Sequence, residues 1–127
     1  MAQVIYTFRV GPRLFELAAN AMRSHSIAVE RFEPISATTM KGLEYFMATP
    51  DVDELLARAR EFDESGDIRV TLRVQHSQKE LFQAARVRAG ADEGKPAATQ
   101  FTMTVGLLSI FPHLTSKTDG TCSLKEG

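Results

Sequence analysis

The sequence holds no tryptophan and a single cysteine, Cys122, among its 127 residues. One thiol cannot close an intramolecular bridge, so the fold must stand on packing, as is common in a reducing cytoplasm, and a disulfide-stapled scaffold is excluded. Long apolar runs are missing as well: none approaches the roughly twenty residues that a membrane-spanning helix needs. The segment from Met1 to Val10 reads as a strand rather than as a basic stretch followed by an apolar one. A dominant charge is also lacking. Fifteen Lys and Arg against sixteen Asp and Glu leave a formal charge of −1, which argues against a surface uniformly positive toward nucleic acid or anionic lipid and leaves room for a local basic patch only. No internal repeat and no low-complexity block stands out.

What is present suits one cytoplasmic domain without a membrane segment. An apolar fraction of 43% and a charged fraction of 24% are close to globular averages, and at this length one core can offset the entropy of ordering the chain. The domain is expected over residues 1–114, with a polar tail over 115–127.

Val4, Tyr6, Phe8 and Val10 alternate with Ile5, Thr7 and Arg9, the two-residue period of a strand with one buried face. Gly11-Pro12 ends it, and Leu14, Leu17, Ala18 and Ala21 recur at helical spacing over 12–25. Val29 and Phe32 before Pro34 suggest an edge strand over 27–35, followed by a loop to Gly42 and a returning strand over 43–48. Thr49-Pro50-Asp51 has the composition of a helix start, for a helix over 50–62. Ile68, Val70, Leu72 and Val74 then alternate with Arg69, Thr71, Arg73 and Gln75 in the clearest strand of the chain. Ser77 and Glu80 match a capping box for a third helix over 78–89. Residues 90–98 read as a turn-rich loop, and the threonine-bearing apolar stretch 100–111 as a long last strand closed by Pro112.

The resulting order, β-α-β-β-α-β followed by α-β, predicts an α+β fold with a mainly antiparallel sheet of four or five strands and helices on one face. Its first six elements, over residues 3–76, resemble a ferredoxin-like split βαβ architecture, which hosts many unrelated functions and so implies none.

In such a sheet the first and fourth strands are central neighbours, and the open face gathers Arg9, Arg69, Thr71, Arg73 and Gln75 beside Ile5 and Thr7. Arginine forks pair with two oxygens at once, which makes this face the candidate binding surface for carboxylate or phosphate groups. The same alternation also arises wherever a sheet face simply meets water. Tyr6 and Phe8 fall on the opposite parity, so the face lacks the aromatic platforms of a single-strand RNA reader. Leu107, Leu108, Ile110 and Phe111 would make the last strand apolar on both faces. They form the candidate interface with a protein partner or a second copy, unless the third helix covers them.

Motifs for chemistry are sparse. His25, His76 and His113 stand apart, without ligand spacing for a metal. Asp51, Asp53 and Glu54 have a sufficient role at a helix start; His113, nine residues before Cys122 in a polar tail, is poor evidence for a nucleophile, and Ser77, although beside His76, has a sufficient role as a cap. Gly90 and Gly94 lack the lysine and helix of a phosphate loop. The expectation is a small non-enzymatic interaction or regulatory protein with no cofactor and no metal, working by protein contact through the open face or the last strand. One alternative is a nucleic-acid-binding regulator using Arg9, Arg31, Arg69 and Arg73, whose affinity falls steeply with salt. The other is a small-ligand carrier or enzyme with a pocket between sheet and helices.

Overall fold

The computed structural model describes residues 3–62 and 65–111. Among them the chain forms strand Val4–Val10 (β1), helices Pro12–Val29 (α1), Ile35–Ala48 (α2) and Asp53–Arg60 (α3), strand Ile68–Val74 (β2), helix Lys79–Ala89 (α4) and a last helix over 99–111 (α5). Short 3-10 turns, His76–Gln78 and Ala91–Glu93, flank α4. The expected sheet of four or five strands is overturned: the described residues hold five helices and one two-stranded antiparallel sheet, and 65% of those residues are helical. The ferredoxin-like order falls with it.

Both strands with clear alternation form where the sequence places them; of the other three expected strands, 43–48 and 100–111 are helical, and 27–35 is divided between the end of α1, a loop over 30–34 and the start of α2. Residues 27–29 continue α1, which ends at Glu30 in the left-handed conformation (φ 59°). There the amides of Glu30 and Arg31 bond the carbonyls of Ile27 and Ser26, closing the helix. Residues 36–48 lie in α2, where Thr38, Thr39, Gly42, Leu43 and Phe46 all turn inward. Residues 100–111 lie in α5, buried on every side from Thr102 to Ile110; a helix without a polar face shows no 3.6-residue period. Its hydroxyls are satisfied within the helix, Thr102, Thr104 and Ser109 donating to the carbonyls of Ala98, Gln100 and Val105.

Helix starts shift by a few residues for local reasons. The Thr49 hydroxyl donates back to the Tyr45 carbonyl at 2.7 Å, in the last turn of α2, and the Asp51 carboxylate takes the Asp53 amide at the start of α3. The reciprocal bonding expected at Ser77 is found two residues earlier, with the Gln75 amide on Gln78 Oε1 and the Gln78 amide on the Gln75 carbonyl.

The expectation of no internal repeat is corrected: the described residues form two like β-α-α units, β1-α1-α2 and β2-α4-α5, joined through α3. One and the same chain interval separates Thr7 from Thr71, Arg9 from Arg73, Val10 from Val74, Glu16 from Glu80, Leu17 from Leu81, Ala21 from Ala85, Thr38 from Thr102, Gly42 from Gly106 and Leu43 from Leu107. It also separates the starts of β1 and β2, and of α2 and α5. The strand register obeys a two-fold axis relating the copies. Val4 pairs with Val74 and Val10 with Ile68, while Thr7 faces its own counterpart Thr71. The corresponding glycines of the two units, Gly42 and Gly106, lie where the backbones of α2 and α5 touch. A Cβ on Gly42 would lie 1.8 Å from the Gly106 carbonyl oxygen, and one on Gly106 would lie 2.7 Å from that of Thr39, so glycine is required at the crossing. Around it Leu14, Leu43, Phe46, Leu72, Met103 and Leu107 are fully buried.

Candidate functional site

The two strands form a ribbon whose faces differ sharply. Val4, Tyr6, Phe8 and Val10 on β1, with Ile68, Val70, Leu72 and Val74 on β2, turn toward the helices. The Tyr6 ring stacks on Phe82 of α4 at 5.3 Å between centroids. On the other face the register sets Ile5 opposite Arg73, Thr7 opposite Thr71 and Arg9 opposite Arg69. The structure thus brings exposed Arg9, Arg69 and Arg73 together on one face with half-buried Thr71, although the sheet around them is not the one expected. Gln75 lies exposed just beyond the strand end, and its side-chain amide donates to Gln3 Oε1 at 3.0 Å. Gln3 escaped the sequence reading because it precedes the first residue of the clear alternation.

Electrostatically this face is positive and without an internal counter-ion. Like charges directly opposite one another in a sheet are unfavourable, yet Arg9 faces Arg69. Among the described residues none of Arg9, Arg69 and Arg73 is paired with a carboxylate, and the strands carry no Asp or Glu. The Arg9 guanidinium reaches only the backbone carbonyl of Asp67, at 3.4 Å. Elsewhere Arg31 pairs with Glu33, Lys41 with Glu44 and Arg60 with Asp92. Arg31 therefore belongs to the loop between α1 and α2, not to the ribbon.

The ribbon is held at its outer edge. The Arg73 amide of β2 donates to Ser36 Oγ at 2.8 Å, which fastens the first turn of α2 to the strand and fixes the exposed face relative to the helices.

The other candidate surface is corrected. Leu107, Leu108 and Ile110 are buried inside this chain and Phe111 is half-buried. Their apolar excess is used by an internal helix instead of an outward strand. A cleft of about 350 Å³ lies between α3, the end of α4 and the start of α5. Two of its polar side chains have structural tasks: Arg60 binds Asp92 at 3.5 Å and the Thr104 hydroxyl donates to the Gln100 carbonyl at 3.0 Å. A second, of about 290 Å³, lies between the ribbon and α4 beside Tyr6 and Phe82. Among the described residues no three His, Cys, Asp or Glu side chains converge in a metal-binding arrangement, and no helix is long and apolar enough to cross a membrane. Pro112, His113, Cys122 and the expected tail over 115–127 lie outside the described residues. No family model, curated protein or solved structure matches the chain, so the geometry of the ribbon carries its functional reading.

Proposed function

We propose that this chain is a double-stranded DNA-binding regulator that lays the exposed face of the β1–β2 ribbon in the major groove. The observation that carries the reading is that face: three arginines without carboxylate partners among the described residues, of which Arg9 and Arg73 are related, like Thr7 and Thr71, by the two-fold axis of the ribbon. The major groove, about 12 Å wide and about 8.5 Å deep, admits such a ribbon. Paired strands lie about 4.8 Å apart, which leaves a few ångströms on either side for side chains. A seven-residue strand spans about 20 Å, the length of several base pairs.

Arginine serves both parts of such a contact, as a cation against phosphate and as a fork against guanine O6 and N7. Because the aromatic rings of the ribbon face inward, duplex DNA suits it better than a single strand read by base stacking. The two-fold arrangement that DNA readers often obtain by dimerising is here supplied by one chain. With a formal charge of −1 overall, positive potential is local, and this face gathers three exposed arginines. The reading assigns no catalytic step and no cofactor, and it places the protein in a reducing compartment that holds DNA.

Fluorescence anisotropy with a random-sequence duplex, titrated at several salt concentrations, tests it. Wild-type affinity should fall steeply with salt. The double variant Arg9→Ala, Arg73→Ala should bind roughly tenfold or more weakly, with a salt slope smaller by about two. Affinity unchanged by the double substitution, or absent at low salt, would contradict the reading. Binding of an acidic protein without any duplex affinity would reassign the same face to protein contact.

A further inference from the structure

We infer that the duplex site of this protein consists of two unlike half-sites, one rich in G·C under Arg9 and Arg69 and the other carrying A·T under Ile5, Gln3 and Gln75. The inference rests on the DNA reading above and adds what the face selects. Its starting point is a mismatch between backbone and side chains. The backbone of the ribbon obeys the two-fold axis through Thr7 and Thr71, and exchanging the copies carries Arg9 onto Arg73 and Thr7 onto Thr71, which preserves the residue type. The same exchange carries Ile5 onto Arg69, Gln3 onto Asp67 and Gln75 onto Gly11, which does not.

Each cross-strand pair takes one residue from each copy, so the unlike residues are sorted to opposite ends of the ribbon. One end presents Arg9 opposite Arg69, with Asp67 beyond. There the Arg9 fork is steadied by the Asp67 carbonyl, and the two guanidinium groups offer only donors, the pattern that guanine O6 and N7 accept. The other end presents Ile5, 50% exposed, opposite Arg73, with the carboxamides of Gln3 and Gln75 joined just beyond. An exposed aliphatic side chain in the groove fits the thymine methyl group, and a carboxamide matches adenine N6 and N7. Arg73 supplies this half with one guanine contact. A symmetric backbone therefore docks on the local two-fold axis of the duplex, while its side chains read that axis unequally.

Selection from a randomised duplex library by the full-length protein, followed by sequencing of the retained pool, tests the inference. The wild-type protein should enrich a site whose two halves differ, with G·C pairs in one and at least one A·T pair in the other. Ile5→Arg makes the two inner pairs alike; it should shift the second half toward G·C and cut preference for the wild-type site roughly tenfold. Arg69→Ile, the reverse change at an exposed position, should relax the G·C half. A palindromic site with like halves, or selected sites that neither substitution alters, would overturn the inference while leaving DNA binding intact. A library from which nothing is enriched, together with no duplex affinity at low salt, would overturn the underlying reading as well.

Discussion

Gly42 has room for a hydrogen atom and nothing more, because α2 and α5 meet there backbone to backbone, with the Gly106 carbonyl oxygen 1.8 Å from where a Cβ would stand. Relief requires the helices to separate, and overpacking of a tight core costs 1–3 kcal/mol or more. Gly42→Ala should therefore lower the unfolding free energy by about 3 kcal/mol in urea denaturation. Gly94→Ala offers the contrast: nothing lies within 4 Å of its Cβ, and only the positive φ of 73° opposes the change, for a loss of about 1 kcal/mol. Equal losses at the two positions would refute the close crossing. His25 gives a second residue-level test. Burial in α1 holds its imidazole below the ordinary value of 6.5; Glu33 opposes that shift, while Lys41 and Arg31 add to it. The neutral ring is the one the fold prefers. Its stabilising contribution is present above about 6.5 and lost as pH falls through the lower folded value. The melting temperature should drop on acidification through that range, and drop less in His25→Gln; identical pH profiles would exclude His25 as the cause.

At the scale of elements, the end of α2 depends on a side chain from α4. The Arg88 guanidinium donates to the carbonyls of Phe46, of Thr49 at 2.6 Å and of Pro50 at 3.1 Å, and its carbon lies 5.1 Å from the centre of the Phe46 ring. The Phe46 carbonyl also accepts the Thr49 amide, at 3.4 Å, and those of Thr49 and Pro50 lie just past the end of α2, where no further turn of helix follows to bond them. Arg88→Ala should cost about 2 kcal/mol by thermal or urea unfolding, and Arg88→Lys should recover little, because an ammonium group cannot span three acceptors and cover a ring. A lysine variant as stable as wild type would show that charge alone suffices. Legibility also divides at this scale. β1 and β2 are readable because each buries one face and so alternates strictly. α1 is readable through its apolar stripe but not to its end, since left-handed Glu30 carries none of the usual glycine signal. α2 and α5 are misread because threonine and glycine count against helix by propensity, whereas tertiary packing needs small residues at the crossing and intrahelical bonds satisfy the α5 threonines.

For the molecule as a whole, the exposed face survives an error in its surroundings. Arg9, Arg69, Thr71 and Arg73 gather because parity along each strand fixes the face and antiparallel pairing fixes the neighbours, whichever elements cover the other side. The two-fold axis lay in the sequence as Thr7-Phe8-Arg9-Val10 and Thr71-Leu72-Arg73-Val74. Nine like pairs spread over three elements are too thin a signal until the register sets Thr7 against Thr71. The axis gives a small, nearly neutral chain a ribbon of symmetric register with a local excess of arginine on its exposed face. The central claim is that this face enters duplex DNA, and the most direct measurement is a titration of backbone amide NMR shifts of the full-length protein with a short duplex. Shifts concentrated at residues 3–9 and 69–75, and lost in Arg9→Ala, Arg73→Ala, are the predicted result. Shifts clustered elsewhere, or none at low salt, would contradict it.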